Sequence, residues 1–277
     1  MTRTSQVRER LLARIAAYRE LVRAQVRGQA QYRMSFAVDL AGSVAFGILD
    51  IVTVFVLFRV SPSLAGFSFP EVFLMTALAS CAFAVADLLV GNVERLRVYV
   101  RTGLLDAVLV RPLGALTQLV AMDVAPRRVG RAVFGAAILM VAAMQAQLAL
   151  TPARAALLVG APIAGAVIFS AVFVATATVS FWWIEAGEFG NALTYGGHDF
   201  TAYPISIYGA LLRRLFAYGL GFAFVAYYPA LALLDRADPL GAPAALGYAS
   251  PLIAAVAAGA AALMWRTGIR HYRSTGS

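Results

Sequence analysis

Six apolar stretches, roughly 34–58, 69–92, 132–150, 155–183, 215–234 and 244–265, alternate along the chain with short segments that hold most of its charge. Crossing a hydrocarbon core of about 30 Å takes about 20 apolar residues of helix, and each stretch is of that order. The pattern predicts an all-α membrane protein with six transmembrane helices. In the first two stretches the polar and small residues share a face. Asp39, Ser43, Gly47 and Asp50 follow one another at helical steps, and so do Ser80, Ala84, Asp87 and Gly91. An acid facing lipid is costly, so both faces are expected to point into protein or a watery cavity.

Residues 5–32 repeat with helical period but are too polar to span. Val7, Leu11, Ile15, Tyr18, Val22 and Val26 form one stripe, and Arg19, Arg23 and Arg27 form a separate row. Such a helix lies in the interface, its apolar side toward lipid and its arginines toward phosphates or a partner. The expected organisation is therefore an amphipathic interface helix at 1–33, a six-helix membrane domain at 34–265 and a basic tail at 266–277. Between the second and third stretches, 94–131 mixes arginines with apolar residues and is broken by Gly103 and Pro112, which predicts short helices along the membrane surface. The segment 184–214, punctuated by Gly196, Gly197 and Pro204, is expected to be a second connection on the same side. Pro229 is expected to bend or end the fifth helix early, and 228–251 is rich in proline and glycine.

Charge gives the orientation. All 23 basic residues are arginine, and 20 of them fall before the first stretch, between the second and third, between the fourth and fifth, or after the sixth. Arg59, Arg154 and Arg236 occupy the other gaps. Short arginine-rich loops stay cytoplasmic, so both termini are expected inside. A composition of 61% hydrophobic and 13% charged residues excludes a soluble or disordered chain. The net charge of +9 sits beside the spans, which points to anionic inner-leaflet lipids as partners and away from nucleic acid. The absence of lysine, with abundant alanine and glycine, points to a bacterial chain from a GC-rich genome.

Several chemistries are absent. A nucleotide-binding P-loop needs a lysine, so this chain is not an ATPase of that kind. The only histidines, His198 and His271, cannot build a multi-histidine zinc site, and no serine sits in a GxSxG elbow. The single cysteine, Cys81, reads as a small buried hydrophobe. The chain is expected to be non-catalytic, with no cofactor of its own.

VRTGLLDAVLVRPL at 100–113, EFGNALTYGGHDFTAYPISIYGALLRRLF at 188–216 and FVAYYPALALL at 224–234 resemble one branch of the ABC type-2 permeases, the membrane subunits of ABC transporters mostly classed as exporters. The resemblance implies a cytoplasmic coupling helix between spans two and three and short re-entrant helices before the last span. It also implies pairing with a second permease, a related chain or itself, and with separate ATPase subunits that carry ATP and magnesium. The family's ATPase-coupling element carries over to Arg101, Gly103, Leu104, Leu105, Asp106, Arg111 and Pro112. In that element Gly103 and Pro112 set turns, Leu104, Leu105 and Leu109 fill a groove, and Asp106 and Arg111 make polar contacts. Asp39, Asp50 and Asp87 are the candidates for the translocation path or an inter-subunit contact. Counting about 1.5 Å per residue, Asp39 and Asp87 fall near the basic inner surface, where pairing with arginines such as Arg33 is expected. Asp50 is deeper and has no arginine in reach on its own helix. A proton- or ion-coupled secondary transporter built on these aspartates is the competing class. Against it, the chain lacks the inverted repeats and paired broken helices of such carriers.

Overall fold

The computed structural model describes residues 33–111, 113–121, 126–183 and 187–272. The amphipathic segment at 5–32, Pro112 and the end of the tail from Arg273 lie outside the described residues, and so does the side chain of Asp39. The helices are α1 (Arg33–Val60), α2 (Phe69–Val90), α3 (Leu96–Arg101), α4 (Leu104–Leu109), α5 (Ala115–Ala121) and α6 (Pro126–Gln145). They continue with α7 (Pro152–Thr178), α8 (Gly187–Thr201), α9 (Ala210–Leu212), α10 (Tyr227–Leu234) and α11 (Ser250–His271). A single 3-10 stretch, Gly91–Arg95, joins α2 to α3, and α9 runs directly into a π-helical Arg213–Gly219. Among the described residues four helices are long and apolar enough to cross a membrane, namely α2 with its continuation to Arg101, α6, α7 and α11. The bent pair Ala210–Gly219 and Phe222–Leu234 makes a fifth if it counts as one crossing. α1, at 28 residues, is about 42 Å long at 1.5 Å per residue and carries the first apolar stretch.

α2 is the hub. It starts cleanly: the Ser68 backbone N–H donates to Glu71 Oε2 at 2.7 Å in a capping box, and Pro70 occupies the first turn. It is apolar on every side because α1, α6, α7 and α8 all pack around it. A helix of that kind is stable only when buried all round, and Leu74, Met75, Leu78, Ala82 and Ala86 are fully buried. Gly135 lets α6 come close, since a Cβ there would stand 3.1 Å from the Cys81 Cα. Cys81 is buried at that contact. On the far side α7 packs along both α2 and α11. Large apolar side chains remain exposed on α1, α6 and α11, among them Leu49, Val56, Met140, Leu252 and Leu263, as expected of surfaces that meet lipid or another membrane chain.

The two ends of the bundle are tied by arginines. At one end Arg236 donates to both carboxylate oxygens of Glu71 at 2.6 Å and to the Gly66 carbonyl at 2.7 Å, while lying 4.0 Å from the Phe67 ring centroid. Arg154 pairs with Asp235 at 2.9 Å beside it. This end gathers the loops after α1, α6 and α10. At the opposite end Arg97 meets Glu188 at 3.2 Å, and the Asn92 side-chain amide donates to the Leu119 carbonyl at 2.5 Å. Trp182 lies near His271 there, with ring centroids 5.8 Å apart.

The segment 184–214 departs from the expected surface connection. α8 leaves the Arg97 end, where Glu188 is held, and its Gly190 packs on Thr176 of α7. Twelve residues on, the Ala202 carbonyl accepts the Thr76 hydroxyl at 2.9 Å, in the half of α2 nearer Glu71. Tyr203 and Ile207 then line a groove with Val60 and Leu64, beside the loop after α1. At about 1.5 Å per residue α8 climbs about 22 Å through the bundle. Its glycines and polar residues read as a loop because they face protein rather than lipid: Gly190, Thr194, Gly197 and Thr201 are all buried.

The apolar stretch 215–234 is correspondingly not a straight span. The helix breaks at Gly221, whose φ of +76° is a left-handed conformation, and the two halves are bent by 67°. Only glycine adopts that conformation without strain. The break falls eight residues before Pro229, so the left-handed glycine and not the proline sets the bend. Since Ile207 and Asp235 both lie at the Arg236 end, the bent pair dips into the bundle and returns.

The altered path predicts a labelling result. Gly209 has open space around its Cβ position. In a Cys81→Ala background, Gly209→Cys should react with an impermeant maleimide from the same side as cysteines at Arg59 and Arg236. Reaction from the side of Arg101 would restore the surface-loop reading.

Candidate functional site

Two places concentrate the chemistry. The first is the hairpin at 96–121. Gly103, at φ +70°, turns the chain between α3 and α4. Gln118 closes the far side, its buried side-chain amide donating to the carbonyls of Val108 at 2.8 Å and Leu113 at 2.7 Å. Leu96, Val100, Leu105, Val108 and Leu119 form one apolar cluster with Val174 and Phe181 at the end of α7 and with Trp265 of α11. The hairpin is therefore built rigidly onto two long helices.

This corrects the expected role of Leu105, which is fully buried in that cluster and unavailable to any partner. The three leucines expected to fill one groove therefore part, because α4 is a single six-residue helix with one side packed on the cluster. Leu104, Leu109 and Val110 are exposed, flanked by exposed Arg101 and Arg111. Asp106 faces inward toward the chain's own end. Burial, and then the Asp106 carboxylate beside it, push the Tyr272 phenol above its usual range.

The second place is a cavity of about 400 Å³ enclosed by α1, α2, α6 and α8. Asp50 of α1, Ser80 of α2, Arg131 of α6 and Tyr195, His198 and Asp199 of α8 supply its polar lining. His198 Nε2 lies 3.4 Å from Ser80 Oγ, and its Nδ1 lies 3.4 Å from Asp199 Oδ1. Phe83 packs on the imidazole with centroids 4.7 Å apart. Asp50 makes no hydrogen bond or ion pair with another described residue, yet its charge acts on those of His198, Asp199 and Arg131. Sequence reasoning found Asp50 but missed His198, Asp199, Tyr195 and Arg131. The spacing of Tyr195, His198 and Asp199 at i, i+3 and i+4 was the available signal, hidden by reading the segment as a loop.

Asp87 does not join the cavity. It is buried near the hairpin end, with Oδ1 3.2 Å from Arg128 Nε and Oδ2 accepting Arg131 Nη1 at 3.0 Å. Gly91 makes room, because a Cβ there would collide with the Asp87 carboxylate and crowd Arg128. The three aspartates thus serve separate places: Asp50 the cavity, Asp87 a helix-to-helix tie, and Asp39 a position on α1 whose side chain lies outside the described residues.

A helical membrane bundle with a rigid hairpin at one end agrees with the comparison to known families. The profile described as ABC-2 family transporter protein matches residues 44–276. The chain belongs to this family. It is a multi-pass membrane component of ABC-2 transport, and partnership with ATPase subunits follows from membership. No curated protein and no solved structure gives a significant match. The match takes in α2 to α11 and most of α1, so both the hairpin and the cavity lie in the part shared with other ABC-2 transporters.

The Asp87 tie yields a stability prediction. Removing one partner of a buried ion pair typically costs about 3–5 kcal/mol. Asp87→Ala should lower the thermal midpoint of this ABC-2 subunit strongly, and Asp235→Ala, at a side chain that is 83% exposed, should do so much less. Equal melting of Asp87→Ala and the parent would refute the tie.

Proposed function

We propose that the chain is the permease subunit of an ATP-driven exporter in a bacterial inner membrane. It crosses the membrane six times, by α1, α2, α6, α7, α8 and α11, with both termini in the cytoplasm and the bent pair re-entering from outside. Placing Arg213 and Arg214 outside, after α8, changes the arginine split from twenty against three to eighteen against five. The orientation survives, with the hairpin end inside. Anionic lipids meet the arginines there. A second permease, related or identical, completes the passage, and alternating access is driven by ATP and magnesium on separate ATPase subunits.

The observation that carries this reading is the division of the hairpin into a buried and an exposed side. Leu105 and Val108 lock it to α7 and α11, while Leu104, Leu109, Val110, Arg101 and Arg111 project from it. An ATPase seated on the exposed crest moves the hairpin as a unit, and two long helices move with it. A secondary transporter has no use for such a crest, and the family membership does not favour that class.

The test separates the two sides. Leu104 is 53% exposed and Val110 is 85% exposed. Losing a buried interface anchor costs about 2 kcal/mol, roughly 30-fold in affinity. Leu104→Asp with Val110→Asp should release the ATPase from the purified complex while the permease melts unchanged. Leu105→Asp should instead destabilise the permease itself. Undiminished co-purification with the Leu104 and Val110 changes would overturn the docking surface.

A further inference from the structure

Beside the polar cavity, toward the Arg236 end, Val52, Val56, Leu57, Val60, Tyr203 and Ile207 line a separate apolar groove of about 580 Å³. α1 walls both spaces, and so do α8 and the residues just after it: Asp50 and Ile51 face the cavity and Val52 the groove, while Asp199 faces the cavity and Tyr203, past the end of α8, the groove. Tyr203 lies close enough to feel the charges of both Asp50 and Asp199. A charged compartment therefore adjoins an apolar one.

The charge of the cavity selects its occupant. Arg131 is held at 3.0 Å by Asp87. Asp87 shares its one negative charge between Arg131 and Arg128, so among the described residues the three carboxylates Asp50, Asp87 and Asp199 face two arginines, and one net negative charge remains while the imidazole of His198 is neutral. The side chain of Asp199 is 78% exposed although it lies between the two ends of the bundle, and a carboxylate at that depth needs a counter-charge or water. The net negative charge disfavours an anion. Among the described residues no group of three or more His, Cys, Asp or Glu side chains is placed to hold a metal ion. Phe83, Phe134 and Tyr195 stand in the wall, and aromatic rings attract ammonium groups.

We propose that cavity and groove together bind an amphiphilic organic cation, its ammonium head between Asp50 and Asp199 and its apolar body along Val52, Val56, Val60, Tyr203 and Ile207. Its role as cargo rests on the permease reading above; its binding does not. The volume suits a ligand of moderate size, since such sites commonly measure about 300–1,000 Å³.

The experiment uses the full complex in lipid nanodiscs and radiolabelled dodecyltrimethylammonium, with dodecyl sulfate as the anion of equal tail and empty nanodiscs subtracted. Saturable binding of the cation alone is expected. Asp50→Asn and Asp199→Asn should each weaken it at least about tenfold, the usual scale for one charged contact; Asp199 is exposed enough to change without disturbing packing. Val56→Trp should remove the gain in affinity between hexyl and dodecyl cations. Asp235→Asn, in the Arg154 pair at the far end, should change nothing. Equal binding of the anion, insensitivity to both asparagine changes, or no saturable binding because a second permease fills the groove would each overturn the site. Carboxylate-dependent binding without stimulated ATP hydrolysis keeps the site and removes its part in transport. ATPase release by Leu104→Asp and Val110→Asp, with no cation binding, keeps the permease reading and overturns the site.

Discussion

Asp87 closes the long connection that begins at Gly91 and ends at Pro126, because its two oxygens hold arginines from the first turns of α6. That buried carboxylate fixes the end of α2 against the start of α6. The hairpin between them then has both its stems set, and its apolar underside can be filled by α7 and α11. The same carboxylate shares its charge between Arg128 and Arg131, and so offsets part of the positive charge that Arg131 brings to the cavity it lines. Asp87 and its two arginines thus bear on both the rigidity of the hairpin and the charge of the cavity. A buried pair contributes little to net stability over an apolar replacement, so its value here is in fixing geometry and charge.

Much of the bundle was legible from apolar run length. α1, α2, α6, α7 and α11 fall on five of the six stretches, although α6 starts six residues early because Arg127, Arg128 and Arg131 are inside the helix and not before it. The failure was confined to 184–234, and its cause is physical. Hydropathy measures the cost of facing lipid, whereas α8 turns Thr194, Gly197 and Thr201 into protein and His198 into a polar cavity. Conversely, the apolar run after Arg214 is long enough to cross, but run length is blind to a left-handed glycine that folds the segment back. Part of the site shared this fate. Asp50 stood out as the deeper acid in an apolar helix, while its partners on α8 were invisible once that segment was read as surface.

The bent pair has a structural consequence for α8. Phe222, just past the break, packs against Phe169 and fits over Gly197, where a Cβ would come within 2.5 Å of its ring. Phe216 reaches Phe200 at 5.5 Å between centroids. These aromatic contacts wedge the bent segment between α7 and α8, so α8 can be short and rich in glycine and still hold its place. Ser250 secures the exit by donating to the Phe224 carbonyl at 2.7 Å, satisfying one of the backbone groups that the break leaves open. Backbone left unpaired within a membrane is tolerated only where protein supplies such partners.

On the proposed reading the hairpin and the cavity are mechanically related through α2 and α6 and not through any chain of ligands. Both helices are gripped at the hairpin end by Asp87, and both contribute walls to the cavity, Thr76, Ser80 and Phe83 from one and Arg131, Phe134 and Ile138 from the other. Gly135 holds their backbones too close for one to slide far past the other, so a push at Leu104 and Val110 is resisted as a tilt of the pair. α1 and α8 form the opposite wall. α1 touches α2 and α6 but leaves a broad apolar face exposed, which makes it the wall least restrained by its own chain. A tilt of the pair therefore widens or narrows the gap to Asp50 more readily than it disturbs the tightly packed contact of α2 with α7. That difference in restraint, and not any residue acting alone, is what would convert movement of the cytoplasmic hairpin into a change of the intramembrane site.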